Sequence, residues 1–372
     1  MDKDTRSKWI LTILAFEILI PVTAIIALMW VNDEAVHTSR ILTLVFILAA
    51  ILAGLLIHAV MHEIGHVIFG RTSGYRFMGM SVFGLWILRT GGGTKLRFFP
   101  IAGAGGGTIS LPEDGYKDDT PYTMFLMGGA AMNILVTVSF AAILFIDLSP
   151  AMNYFAAMVA ALGVYFIAAN LIPITYRTLV NDAEMLRLFK NDEATKHCAF
   201  FAFRMSHLLL TGGDTTEYAN SAAPADLPRG NRVAELVRMM LIETETKQRR
   251  FDRAAQMSYD LLNDVESTSI ISDMTKLILI FVYAVNGEDR SRIDEIYDEK
   301  MKKFVRSVSV NNTGAMLFLA AYEKRFGTGG TDINKIVRRF NKQAKRFKEA
   351  MSFEKEMMES ILSWDNTGSI VQ

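Results

Sequence analysis

Apolar positions follow two different patterns along this chain. In residues 1–176 they form long runs with few charges, whereas from 177 to 372 they recur every three or four positions among Lys, Arg, Asp and Glu. An apolar run of about 20 residues is what a helix needs to cross a hydrocarbon core, and a 3.6-residue period marks a helix buried on one face only. Four spans are therefore predicted, over residues 9–30, 41–69, 122–146 and 151–172. The first has Trp9 and Trp30 near its ends, where indole rings favour the membrane interface. Its Glu17 lies near the polar end and reads as a snorkelling or partner-paired carboxylate. The second carries about 17 uncharged residues before His58. The third contains Gly128-Gly129-Ala130-Ala131-Met132-Asn133, small residues that let another helix approach, followed by a polar group that needs a partner at membrane depth. The fourth ends in Asn170-Leu171-Ile172-Pro173.

Residues 70–121 differ in kind. Residues 76–88 and 95–101 are rich in aromatic and β-branched side chains, and Gly91-Gly92-Gly93 between them reads as a hairpin turn. The glycine-rich stretch 103–107 lacks a following Lys-Ser or Lys-Thr, so it is read as backbone freedom or close backbone approach rather than a phosphate loop. Residues 111–120 read as a polar loop. From 181 the pattern predicts one helix over 181–210, a linker over 211–231, and helix pairs 232–246 with 251–263, 270–286 with 291–305, and 314–326 with 333–348, closed by a helix over 353–364. Pairs recurring at roughly 40 residues suggest a helical solenoid. Arg250-Phe251-Asp252-Arg253-Ala254-Ala255 is similar to the start of the second helix of a tetratricopeptide repeat. The apolar segment 277–285 is too short to span and reads as a buried core helix.

The expected fold is thus mainly α: a polytopic four-span bundle with a small membrane-associated β hairpin, followed by a soluble, TPR-like helical repeat domain. The expected divisions are a transmembrane domain over 1–190, a helix and linker over 191–230, and a cytoplasmic helical domain over 231–372.

Charge refines this picture. The formal net charge is +0, with 51% hydrophobic and 21% charged residues, and the mean hydropathy is +0.24. No basic excess points to nucleic acid. Cys198 is the single cysteine, so no internal disulfide is possible and a reducing compartment fits. The first apolar run is long and has no small-residue cleavage pattern after it, so no cleavable signal peptide is expected. Three Lys or Arg residues precede the first span, one lies in the 31–40 loop, six lie in 70–121 and none in 147–150. This distribution orients four spans with both termini in the cytoplasm.

Candidate chemistry sits at the end of the second span, as His62-Glu63-Ile64-Gly65-His66. On a helix, residues four apart share a face, so both imidazoles can bind one Zn²⁺ while Glu63 reaches a water at the metal. The orientation places this motif towards the cytoplasmic face. A hydrolytic zinc site needs a third protein ligand, and His58, Asp182 and Glu184 are the candidates. His58, one turn before His62 on the same stripe, cannot easily join the pair around one ion and is read as supporting the ligands or facing substrate.

His62-Glu63-x-x-His66 late in a membrane helix, Gly129-x-x-x-Asn133 in a later one, and Asn170-Leu171-Ile172-Pro173 followed by Asn181-Asp182 together resemble the site-2 protease family of intramembrane zinc metallopeptidases. The likeness is to bacterial-type members without a PDZ insertion. The resemblance implies a peptidase cutting membrane-embedded or membrane-proximal peptides. It implies Glu63 as general base, His62, His66 and Asp182 as zinc ligands, and Asn133 or Asn170 as a substrate-positioning group. It also implies a β element beside the site that could hold an unwound substrate. Ala183 stands where the family usually has glycine, and the Asn-to-Asp spacing is longer than in its best-known members. The expected partners are a membrane protein or peptide substrate, the lipid bilayer and, at the C-terminal helices, a protein partner, with no nucleic acid. The expected location is a bacterial cell membrane, and the expected process is regulated intramembrane proteolysis or peptide maturation. The competing reading is a membrane adaptor with a catalytically idle zinc site.

Overall fold

The computed structural model describes residues 40–99, 105–113, 115–117, 119–146, 148–176, 179–265, 269–327, 329–330, 332–346 and 351–364, together with residues 10, 12, 19 and 21–27. Most of the expected first span, including Trp9, Glu17 and Trp30, lies outside the described residues; residues 21–27 are helical. The chain divides into two units, Met1–Glu193 and Ala194–Gln372.

The first unit is built on α1 (Arg40–Thr72). At 1.5 Å per residue this helix is about 50 Å long, well beyond a hydrocarbon thickness of about 30 Å. Ile41, Leu44, Val45, Leu48, Leu52 and Leu56 are exposed along it, while His58, His62, Glu63 and His66 are buried. This is the reverse of a soluble helix, with apolar side chains outside and ionisable ones inside. Helices α2 (Thr123–Ile143) and α3 (Pro150–Leu171) pack against its buried face. Among the described residues these three helices are long and apolar enough to cross a membrane. Val22 of the first segment packs with Ala50, Met158 and Leu162.

A four-stranded antiparallel sheet follows α1. It comprises β1 (Tyr75–Val82), β2 (Leu85–Thr90), β3 (Gly93–Phe98) and β4 (Gly106–Pro112), in spatial order β3-β2-β1-β4. The predicted hairpin is only part of it. The first β-prone run folds back on itself at Phe83-Gly84, where both residues have positive φ (48° and 82°), as a two-residue hairpin loop requires. Gly91-Gly92 closes the second hairpin, with Thr90 opposite Gly93. The glycine-rich stretch and the loop predicted after it supply β4, which glycines and a proline had concealed. One face of the sheet buries Trp86 and Leu88; the other exposes the cross-strand pairs Leu85–Phe98 and Ile87–Leu96.

The helix predicted over 181–210 is two helices, α4 (Asp182–Asn191) and α5 (Glu193–Thr211). Asp192 between them is extended (φ −156°, ψ 105°), which ends the α4 hydrogen-bond ladder. The second unit contains α6 (Thr215–Ala222) within the predicted linker, capped by Asp214, then α7 (Arg232–Lys247), α8 (Phe251–Asp264) and α9 (Ile270–Asn286). It continues with α10 (Arg290–Asp294), α11 (Glu299–Val308), α12 (Thr313–Phe326), α13 (Ile333–Arg346) and α14 (Ser352–Ser363). The segment 277–285 is a core helix: Leu279, Ile280 and Ala284 of α9 are buried with Phe318 and Ala321 of α12. Gly287 and Gly327 end α9 and α12 in the left-handed conformation that glycine adopts without a Cβ clash.

Candidate active site

The site is assembled where α1 and α2 cross most closely. A Cβ on Gly65 or Gly128 would overlap the other's backbone, and one on Gly129 would overlap the His62 ring. Small residues at this crossing bring the backbones together. As a result His66 Nδ1 lies 2.8 Å from the carbonyl oxygen of Phe125. A carbonyl can only accept, so Nδ1 carries the proton and a neutral His66 presents a lone pair at Nε2.

Asp182 reaches the two histidines from α4. Its Oδ2 is 3.1 Å from His62 Nε2 and 3.2 Å from His66 Nε2, and the two Nε2 atoms are 3.2 Å apart. Asn181 makes this possible. Its Oδ1 accepts from the backbone N–H groups of Glu184 and Ile174, at 3.1 and 3.0 Å. Its Nδ2 donates to the carbonyls of Ala169 and Ile172 near the end of α3, at 2.7 and 2.6 Å. Asn181, not Asp182, is therefore the helix cap, and it ties the start of α4 to the end of α3. The Asp182 carboxylate is left free to face the histidines. Glu184, the competing ligand, is buried and turned away, joined to Arg187 at 2.6 and 2.5 Å.

Glu63 is 5% exposed. Its Oε2 accepts from Thr108 Oγ1 at 2.7 Å. A Cβ on Gly106 would stand 2.5 Å from Glu63 Oε1, so β4 passes directly beside this carboxylate. Asn133, fully buried, lies between two rings, its Nδ2 3.2 Å from His62 Nδ1 and its Oδ1 3.2 Å from His58 Nδ1. His58 also lies 2.9 Å from the carbonyl of Val159. Asn170 stands apart from this network: its amide donates to the Phe166 carbonyl of its own helix at 2.9 Å.

His62, Glu63, His66, Asp182, His58 and Asn133 are thus brought together, and Asn170 is not joined to them by any side-chain contact among the described residues. Thr108 and Gly106 take part although the sequence did not single them out, and Asn181, noted there only beside Asp182, takes part as the cap of α4. Only Asn181 carried a local signal, as a capping residue directly before an acidic helix start. Thr108 and Gly106 sit in a stretch whose strand character was hidden.

The donor set fits a metal ion. His62, His66 and Asp182 each offer a ligand atom, all within 4.8 Å of one another. Asp182 Oδ2 is buried without a hydrogen-bond partner despite its two close nitrogens. A carboxylate oxygen and an imidazole lone pair converging without a shared proton are what a cation between them would stabilise.

A buried pair of histidines and a glutamate on an apolar helix, with a carboxylate brought in by an amphipathic one, fit a membrane metallopeptidase. The family model of peptidase family M50 matches residues 50–363; the chain belongs to this family, the site-2 protease family. No curated protein and no solved structure matches it.

Proposed function

We propose that this protein is an intramembrane zinc endopeptidase in which His62, His66 and Asp182 hold the metal and Glu63 carries the proton. One observation supports this above the others: two imidazole Nε2 atoms and an otherwise unpartnered carboxylate oxygen converge beside a buried glutamate.

When bound, zinc acidifies a coordinated water and polarises the scissile carbonyl. Glu63 accepts a proton as water attacks and returns it to the leaving amine. Thr108 holds Oε2, so the carboxylate keeps one orientation through both transfers. His66 is six residues from the end of α1, about 9 Å along the axis, which suits a site supplied with water from a membrane face.

A helical substrate hides its carbonyls in hydrogen bonds, so it must unwind before it is cut. Among the described residues no strand pairs with the outer edge of β4, the strand that passes Glu63. An extended substrate adding to this edge would lie across the site. The exposed face carrying Leu85, Ile87, Leu96 and Phe98 would sit in the lipid interface. We read the chain as four spans with both termini in the cytoplasm of a bacterial cell, and the helices after 231 as a TPR-like module that recruits a protein partner.

The deciding experiment compares membrane peptidomes of cells carrying the wild type and Glu63→Gln. Peptide ends that depend on Glu63 are expected. Zinc binding with no such peptides would instead favour the adaptor reading.

A further inference from the structure

We propose that His58 and Asn133 are positioning residues that fix the tautomer of His62, keeping its Nδ1 protonated and its Nε2 lone pair free for the metal. This rests on the metallopeptidase reading and concerns how the chain prepares its own ligand.

The argument starts at the far end of the chain of contacts. His58 Nε2 is 2.9 Å from the Val159 carbonyl, which can only accept. His58 Nε2 therefore carries a proton, and a neutral His58 presents a lone pair at Nδ1. Facing that atom at 3.2 Å is Asn133 Oδ1, while Asn133 Nδ2 faces His62 Nδ1 at 3.2 Å. A half-turn exchanges the oxygen and nitrogen of an amide with almost no change of shape, so their positions follow from the partners.

With Oδ1 towards His58, both nitrogens of His58 must be protonated. Nδ2 then donates to His62 Nδ1, and the His62 proton is forced onto Nε2, where it blocks metal binding. This arrangement buries a cation. His58 is 0% exposed, it stacks on Phe166 at 5.4 Å, and Gly163 packs against its ring. Among the described residues no carboxylate touches it. A buried charge without a partner is strongly disfavoured.

With the amide reversed, every contact from the Val159 carbonyl to His62 Nδ1 is satisfied without a charge. Asn133 Nδ2 donates to His58 Nδ1, and Oδ1 accepts from His62 Nδ1–H. The resulting order is Val159 carbonyl, His58, Asn133, His62, with each donor meeting an acceptor. His62 Nε2 emerges as a lone pair beside Asp182 Oδ2 and His66 Nε2. Its neighbour His66 reaches the same state through the Phe125 carbonyl. The two ligands are thus set by different devices, one a backbone carbonyl and the other a buried side-chain relay.

The test measures zinc affinity by chelator competition on the purified full-length protein. It also assigns the His62 ring nitrogens by ¹⁵N correlation spectroscopy of the zinc-loaded wild type. His58→Phe keeps the ring but removes the acceptor, and its zinc affinity is expected to fall tenfold or more. His58→Gln, whose carbonyl can take the Asn133 N–H, should stay near wild type. Asn133→Asp has no N–H to misdirect, so the double variant His58→Phe, Asn133→Asp should recover most of the affinity lost by His58→Phe. A merely structural role predicts that the two losses accumulate. Unchanged affinity in His58→Phe, accumulating losses in the double variant, or a His62 Nδ1 lacking its proton would each overturn the proposal. The spectrum of the wild type decides the matter even if a variant fails to fold. A wild type that binds no zinc would overturn the metallopeptidase reading itself.

Discussion

His66 Nδ1 donates to the backbone carbonyl of Phe125 across the closest approach of α1 and α2. The contact exists because Gly65 and Gly128 let the two backbones meet. Gly65→Ala and Gly128→Ala should each push the helices apart, at a cost of about 1–3 kcal/mol for overpacking. We expect both to lower the melting temperature in detergent and to reduce the metal content measured by atomic emission, since His66 would lose its orienting acceptor.

Glu63 and Thr108 separate proton transfer from metal binding. Glu63→Gln should retain metal and abolish cleavage. Thr108→Val removes one hydrogen bond of about 1 kcal/mol, so a drop in turnover of up to about tenfold with unchanged metal content is expected. Turnover assays on a reconstituted substrate, paired with metal analysis, check both. Cleavage by Glu63→Gln would sink the assigned proton carrier.

Asp182 and Glu184 lie two residues apart but face different partners. Asp182→Ala should strip the metal from the purified protein, whereas Glu184→Ala should leave it in place and only release Arg187. The reverse pattern of metal contents would transfer the ligand role to Glu184.

The sheet offers a test of the membrane placement. Spin labels on cysteines introduced at Leu85 and Leu96 are expected to collide with lipid-dissolved oxygen more than with a water-soluble relaxant. Cys198 is buried and should label poorly. Preferential collision with the aqueous relaxant at both sites would remove the sheet from the interface.

Glu243 on α7 gives a pH dependence away from the metal centre. Burial raises its carboxyl pKa; Lys247 opposes this and Glu354 adds to it. The fold therefore favours the protonated acid, and its contribution is present at low pH and lost as pH rises through the raised value. Hydrogen-exchange protection across α7, corrected for the intrinsic base-catalysed rate, should fall over that rise in the wild type and much less in Glu243→Gln.

Three of the four predicted spans and the His62-Glu63-x-x-His66 motif were legible in the sequence, and so was Asp182 as a candidate third ligand. The first two rest on local information, run length and the four-residue spacing of His62 and His66, whereas Asp182 is preferred through the family resemblance alone. The gathering of the site depended on the tertiary structure. The sheet was half hidden, because the glycines of β4 lower strand propensity while letting the backbone pass Glu63. Asp182 stands at the start of α4, and the bonds of Asn181, which caps that helix and ties it to the end of α3, leave its carboxylate free. His58 and Asn133 are 75 residues apart in the chain, and no spacing rule relates them. Their contact, and the proton order it sets along the way to His62, arise where small residues let three helices close together.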